Sequence, residues 1–179
     1  MKAAPQAPVR GRAVRAEQVI VFRIGGQLLA ISSAAVQEIR GADSLTGAAM
    51  DVTQTELRKV RHALNHRGKR PIYVVHGGTL FGLPASQATL VFLLRRGRAA
   101  LLVDSIERMA AITRLQAIPQ AFCHEERAWY RGLTVLEEGI VPVLNPEGLL
   151  NSEEIVLLDA TIAAEIGGRP AETETRPTA

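Results

Sequence analysis

Four histidines, His62, His66, His76 and His124, are the side chains of this sequence most able to bind a metal or move a proton near neutral pH. His62 and His66 are four positions apart, the spacing that sets two imidazoles on one face of a helix. No glutamate follows His62 as in an HExxH signature, and a third ligand would have to come from far along the chain. The histidines therefore read as solvated side chains in a basic loop, and no metal is expected. Cys123 and His124 set a thiol beside a base, but neighbours in an extended segment point to opposite faces and cannot act as nucleophile and base. Cys123 is the single cysteine, which excludes an intramolecular disulfide and a multi-cysteine zinc site. Asp104 in LLVDSI and Glu38 in VQEI are carboxylates without an accompanying nucleophile. None of GxSxG, GxxxxGK[ST] or GxGxxG occurs. No catalytic or cofactor-binding residue is assigned, and no enzymatic activity is expected.

The 179 residues carry a formal net charge of +3, unevenly spread. Six Lys or Arg and no acid lie between Arg58 and Arg70, whereas the C-terminal segment carries Glu153, Glu154, Asp159, Glu165, Glu172 and Glu174. A basic stretch of this kind could contact phosphates, so a small β-barrel binding nucleic acid through Arg58 to Arg70 is the alternative function. Two facts weigh against it. Eighteen of the 21 basic residues are Arg, which suits bidentate pairing with carboxylates as much as with phosphate. Aromatics are 4% of the chain, and only Tyr73 lies near the basic cluster, too few for a base-stacking platform. No nucleic-acid partner is expected.

The elements that must position these groups follow from the patterning. Hydrophobic residues make up 47% of the chain, enough for one compact body. No apolar run approaches the ~18 residues that span a bilayer, and the N-terminus lacks a secretory pattern, so a cytoplasmic protein without membrane insertion is expected. Residues 1–17 read as a disordered arm, 18–166 as the folded domain, and 167–179 as a disordered tail. Gln18 to Ile24 and Gln27 to Ile31 are short strands joined by Gly25-Gly26, a hairpin signal. Ser32-Ser33 is positioned to cap a short helix over Ala34 to Ile39, with Val36 and Ile39 on one face. Ala42 to Arg70 reads as a loop with a helical stretch in TELRKVRHALN. From Pro71 the strand pattern resumes as PIYVV, a Gly77-Gly78 turn, TLFGLP, ATLVFLL and AALLVDSI, with turn signals spaced as in small barrels. A last hairpin joins GLTVL to GIVPVL, and Pro142 places the second of these strands at an edge or bulge. Asn151 to Glu154 forms a capping box that opens a helix to about Ile166. Its apolar face is Ile155, Leu158, Ile162 and Ile166; Glu153, Glu154 and Glu165 face water.

In this order, the motifs resemble CheW-like coupling proteins of bacterial chemotaxis. VIVFRIGGQLLAISSAAVQEIRG is similar to the family's opening. HALNHRG followed by PIYVVHG stands where the family has Gly-x-x-Asn-Leu-Arg-Gly and a Pro-Val-Val-Asp-Leu strand. ALLVDSIERM, AIPQ, YRGLTVLEEGIVPVLNPEGLL and NSEEIVLLD continue the resemblance to the C-terminal helix. The chain departs from that pattern at His62, His66 and His76, which replace the family's Gly, Leu and Asp. The resemblance implies a mainly β fold of two small intertwined SH3-like β-barrels, about five strands each, with short helices, a C-terminal helix and an apolar seam. It implies a non-enzymatic scaffold joining a methyl-accepting chemoreceptor to a CheA-type histidine kinase, in chemotaxis or surface motility, at membrane receptor arrays. Val36, Glu38, Ile39 and Arg67 would line the receptor groove. Phe81, Leu83, Leu90 and Phe92 offer more apolar strand surface than one small core needs, and are expected to bind the kinase.

Overall fold

The structure, a computed structural model, describes residues 16–46, 49–52, 57–64, 70–84, 87–122 and 124–167. β1 (Glu17–Ile24) and β2 (Gln27–Ser32) pair antiparallel, from Val19 opposite Ser32 to Ile24 opposite Gln27. Gly25 and Gly26 close this hairpin at φ 56° and 81°, values that only glycine adopts at low cost and that match the twist of the strands. The expected helix over Ala34 to Ile39 does not form. Ser33–Ala35 is a single 3-10 turn, and Ser32 bonds the Glu17 carboxylate rather than capping it. β-branched Val36 and Ile39 continue as β3 (Val36–Gly41), which pairs with a later strand across a bulge between Val36 and Glu38.

Two further segments differ from the expected elements. β4 (Ala49–Asp51) and β5 (Val60–Leu64) occupy the segment read as loop and helix, because Val60 to Leu64 finds a full partner in β6 (Ile72–His76). Gly77-Gly78 is not a turn between strands but the start of α1 (Gly77–Phe81), ended by Gly82 at φ 63°. A side chain at Gly77 would collide with the Ile24 side chain, so glycine lets β6 pass directly into α1 against β1. β7 (Leu90–Leu94), β8 (Ala99–Val103) and β9 (Ser105–Ile112) follow. α2 (His124–Trp129) then leads into the hairpin of β10 (Tyr130–Leu136) and β11 (Gly139–Leu144). His124 thus opens a helix.

The strands form a five-stranded sheet, β10-β11-β2-β1-β9, and a six-stranded sheet, β3-β7-β8-β6-β5-β4. The chain begins the first sheet, crosses to build all of the second, and returns to finish the first. This is the intertwining implied by the resemblance, with one strand more in the second lobe. β11 lies between β10 and β2, so Pro142 is not on an edge strand. The pairing with β2 is parallel at Val143 opposite Ala30, and a bulge in β10 falls opposite Val143 and Leu144, next to Pro142.

Every residue of β8 and four of five in β7 are buried, because both faces of these strands are covered. Val91, Leu93, Ala100 and Leu102 pack inside the six-stranded lobe. Phe92, Leu101 and Val103 face the other way, into a seam with Ile20, Phe22, Ile24 and Leu29 of the five-stranded sheet. The rings of Phe22 and Phe92 meet edge to face, 5.3 Å apart at 71°. Each such side chain contributes about 1.5–3 kcal/mol by burial, so the seam joins the lobes into one unit.

α3 (Ser152–Gly167) closes the seam with Leu158 and Ile162. Its capping box is formed as the sequence implies: the Glu154 amide donates to Asn151 Oδ1 at 2.8 Å, and the Asn151 amide donates to Glu154 Oε2 at 2.9 Å. Glu154 does not face water, because Lys59 Nζ lies 2.6 Å from its Oε1 in a half-buried pair. One turn later Asp159 accepts two bonds from Arg98, at 2.7 and 2.5 Å, and one from the Tyr73 hydroxyl at 2.6 Å. The Arg98 bonds hold the Asp159 carboxyl below its ordinary value, while burial and then the bond to Asp159 push the Tyr73 hydroxyl up.

Candidate partner-binding site

β3 forms an edge of the six-stranded sheet, so one border of its backbone has no strand paired to it, while its side chains alternate between the two faces of the sheet. The bulge sets Val36 opposite Leu94 and Ile39 opposite Phe92, while Glu38 stands opposite Leu93 and Arg40 opposite Val91. Val36 and Ile39 therefore share one face, as expected of a helix, by a different geometry. Val36 is buried in the seam, whereas Ile39 is 40% exposed. On the other face Arg40 grips Glu38 with two bonds of 2.7 Å, which fixes the carboxylate and raises the Arg40 pKa. The expected receptor residues thus divide into a core residue, Val36, and two surface residues, Glu38 and Ile39. Arg67 lies outside the described residues, as do His66 and Cys123.

The expected kinase residues divide similarly. Phe92 is fully buried, and its ring meets Phe22 in the seam rather than offering surface. Phe81, Leu83 and Leu90 are half-buried and pack against the same core. Phe81 belongs to a ring cluster that the sequence reading missed. It stacks on Tyr130 at 5.9 Å and meets Trp129 edge-on at 5.7 Å, while Phe122 meets Tyr130 at 6.2 Å. Four of the seven aromatic residues gather where α1 approaches α2 and β10, joining the two lobes. Adjacency of Trp129 and Tyr130 was the only signal, since Phe81 comes from a distant part of the chain.

His62 and His76 are brought within 5.5 Å, ring to ring, by the pairing of β5 with β6 rather than by helical spacing. His76 Nε2 is buried without a hydrogen-bond partner among the described residues, at a cleft of about 240 Å³ lined also by Arg61, Thr79 and Asp104. Burial, then the nearby His62 and Arg61, push the His76 pKa down to about 4, so this imidazole is neutral at pH 7. Among the described residues no three His, Cys, Asp or Glu side chains converge to hold a metal ion. No helix among them is long and apolar enough to cross a membrane.

Two interlaced SH3-like lobes, sharing a seam and presenting an edge strand with a fixed carboxylate, define a two-lobed β scaffold. The CheW-like domain matches residues 18–154, and the chain belongs to that family, whose members are scaffolds and adaptors of chemotaxis rather than enzymes. The crystal structure of the scaffolding protein TtCheW from Thermoanaerobacter tengcongensis is similar in fold, with a TM-score of 0.64 and 15% identity. The alignment covers 83% of this chain and 96% of TtCheW. No curated protein matches the chain by sequence.

Proposed function

We propose that the protein couples a methyl-accepting chemoreceptor to a CheA-type histidine kinase, in chemotaxis or surface-motility signalling, and works in the cytoplasm at receptor arrays. The observation that carries this reading is the edge strand β3, where a carboxylate held by Arg40 and an exposed Ile39 occupy opposite faces. A receptor helix with an apolar face and charged flanks needs that combination: apolar contact for affinity, and a fixed charge for register. The kinase is assigned to the six-stranded lobe around Phe81, Leu83 and Leu90, where half-buried apolar groups border the seam. Phe92 supports that lobe from within.

Paired pull-downs on two purified variants test the assignment. Glu38→Lys reverses one exposed charge without removing buried volume, so the fold survives within about 1 kcal/mol while receptor association falls and kinase association stays. Leu83→Asp should do the converse, with circular dichroism confirming that each variant is folded. If Glu38→Lys loses the kinase and keeps the receptor, the two surfaces are exchanged; if both folded variants keep both partners, the reading fails.

A further inference from the structure

Where β2 leaves the five-stranded sheet and crosses to β3, the lobes enclose a cleft of about 460 Å³. Three arginines line it. Arg131 on β10 is already closed on the Glu17 carboxylate, with bonds of 2.6 and 3.1 Å. Arg95 and Arg96, in the turn between β7 and β8, are differently placed. Arg95 donates its amide to the Ala35 carbonyl at 2.8 Å and its Nε to the Ala34 carbonyl at 3.2 Å, which ties the side chain to the crossover. No carboxylate lies within ion-pair distance of Arg95 among the described residues. Arg96 is 83% exposed, and its nearest carboxylate, Glu147 across the cleft, is 3.9 Å away, too far for a hydrogen bond. Arg95 thus makes no ion pair among the described residues, and Arg96 has only a long, exposed one with Glu147, so both guanidinium groups that line the cleft can take a further carboxylate. The rest of the lining is mixed: Ala34, Ala35 and Pro146 are apolar, and Glu147 and Asn145 carry acceptors.

We propose that this cleft binds an acidic peptide segment of a protein partner, with one of its carboxylates received by Arg95 and Arg96. The planar fork of Arg matches a carboxylate bidentately, and the small apolar lining accepts the residues flanking it. Glu147 decides between anions. A compact polyphosphate would bring several charges against it, whereas a peptide places one carboxylate on the arginines and can turn a backbone N–H toward Glu147. The cleft is lined by none of Glu38, Ile39 and Phe81, although Asn145 on its wall donates its amide to the Trp129 carbonyl of the ring cluster. It requires both lobes, since Arg95 and Arg96 lie in the turn between β7 and β8 of the six-stranded sheet and Glu147 follows β11 of the other.

The test is fluorescence anisotropy of a labelled decapeptide alternating Glu and Ala, measured at about 50 and 150 mM NaCl with the full chain. The protein should bind this peptide, ignore its Gln counterpart, and lose about tenfold in affinity in Arg95→Gln/Arg96→Gln. Arg108→Gln is the control, because that arginine is on β9 and pairs with Glu138 away from the cleft; it should change affinity by less than about twofold. If the double variant shifts the urea midpoint, Arg96→Gln alone, at a fully hydrated side chain, should still weaken binding. Equal loss in Arg108→Gln, binding of the Gln peptide, or displacement by tripolyphosphate at lower concentration than by unlabelled peptide would each overturn the proposal.

Discussion

Replacing Asp159 by alanine removes the acceptor that holds α3 against β6 and β8, and leaves three donors facing an empty place. The two bonds from Arg98 and the one from Tyr73 are charge-assisted, a class that contributes about 1.5–3 kcal/mol when one is lost in a protected site. Solvent reduces the ionic part, because the Asp159 side chain is 43% exposed, so the pair with Arg98 contributes no more than about 1 kcal/mol. The Tyr73 hydroxyl is another matter: the residue is fully buried, and a hydroxyl without an acceptor costs about 1–3 kcal/mol. Asp159→Ala should therefore destabilise by about 2–4 kcal/mol, and Asp159→Asn, which keeps an acceptor for Tyr73, by about half that. Tyr73→Phe removes the donor instead. In the double variant the orphaned hydroxyl no longer exists, so its cost should fall short of the sum of the single variants by about 1 kcal/mol or more. Urea unfolding followed by far-ultraviolet circular dichroism reads this as a shift in midpoint at constant slope. The folded-state pKa of Asp159 is depressed, so its contribution is present above the ordinary carboxylate value and is lost as pH falls through the folded one. A cost below about 0.5 kcal/mol for Asp159→Ala, or an additive cycle, would refute the reasoning.

Phe92→Ala should cost about 3–5 kcal/mol in the same assay, because it empties a fully buried place against Phe22; a loss below about 1 kcal/mol would put Phe92 on a surface. The neutral His76 gives a pH signature of opposite origin to that of Asp159. Its folded pKa of about 4 lies below the ordinary 6.5, so between those values the unfolded chain takes up a proton that the folded chain refuses. Stability should fall as pH drops through that window, by about 1–2 kcal/mol after allowance for solvent access, and His76→Gln should flatten the slope.

The hairpin of β1 and β2 and the start of α3 were readable because their signals are local: Gly25-Gly26 fixes a turn, and Asn151 with Glu154 satisfies amides three residues apart. β3 was not readable for a specific reason. Val36 and Ile39 are three residues apart, which places them on one face of a helix, but the bulge before Glu38 absorbs one residue and gives the same result in a strand. In Val60 to Leu64 local propensity was overruled by pairing with β6, a partner no local window contains. α1 is too short for periodicity to register, and its two glycines mimic a turn. Of the candidate site, the exposure of Glu38 was legible from residue type, and that of Ile39 only through the resemblance, since an isoleucine by itself reads as core. The burial of Phe92 was not, since alternate residues of an apolar strand look alike until both covering layers are known.

The return of the chain to its first sheet bears on how the molecule is made. A ribosome delivers β1 and β2 first, yet β9 and β11, which flank them, emerge only after all six strands of the other sheet have been synthesised. Until then the nascent hairpin has two open borders and a row of uncovered side chains, including Ile20, Phe22, Leu29 and Ile31. The six-stranded lobe, contiguous in the chain, can assemble while it waits, and its seam face offers the hairpin its first shelter. Translation order therefore makes the inserted lobe a template for the outer one, and a pause before β9 would lengthen the interval in which the hairpin is open to a wrong partner.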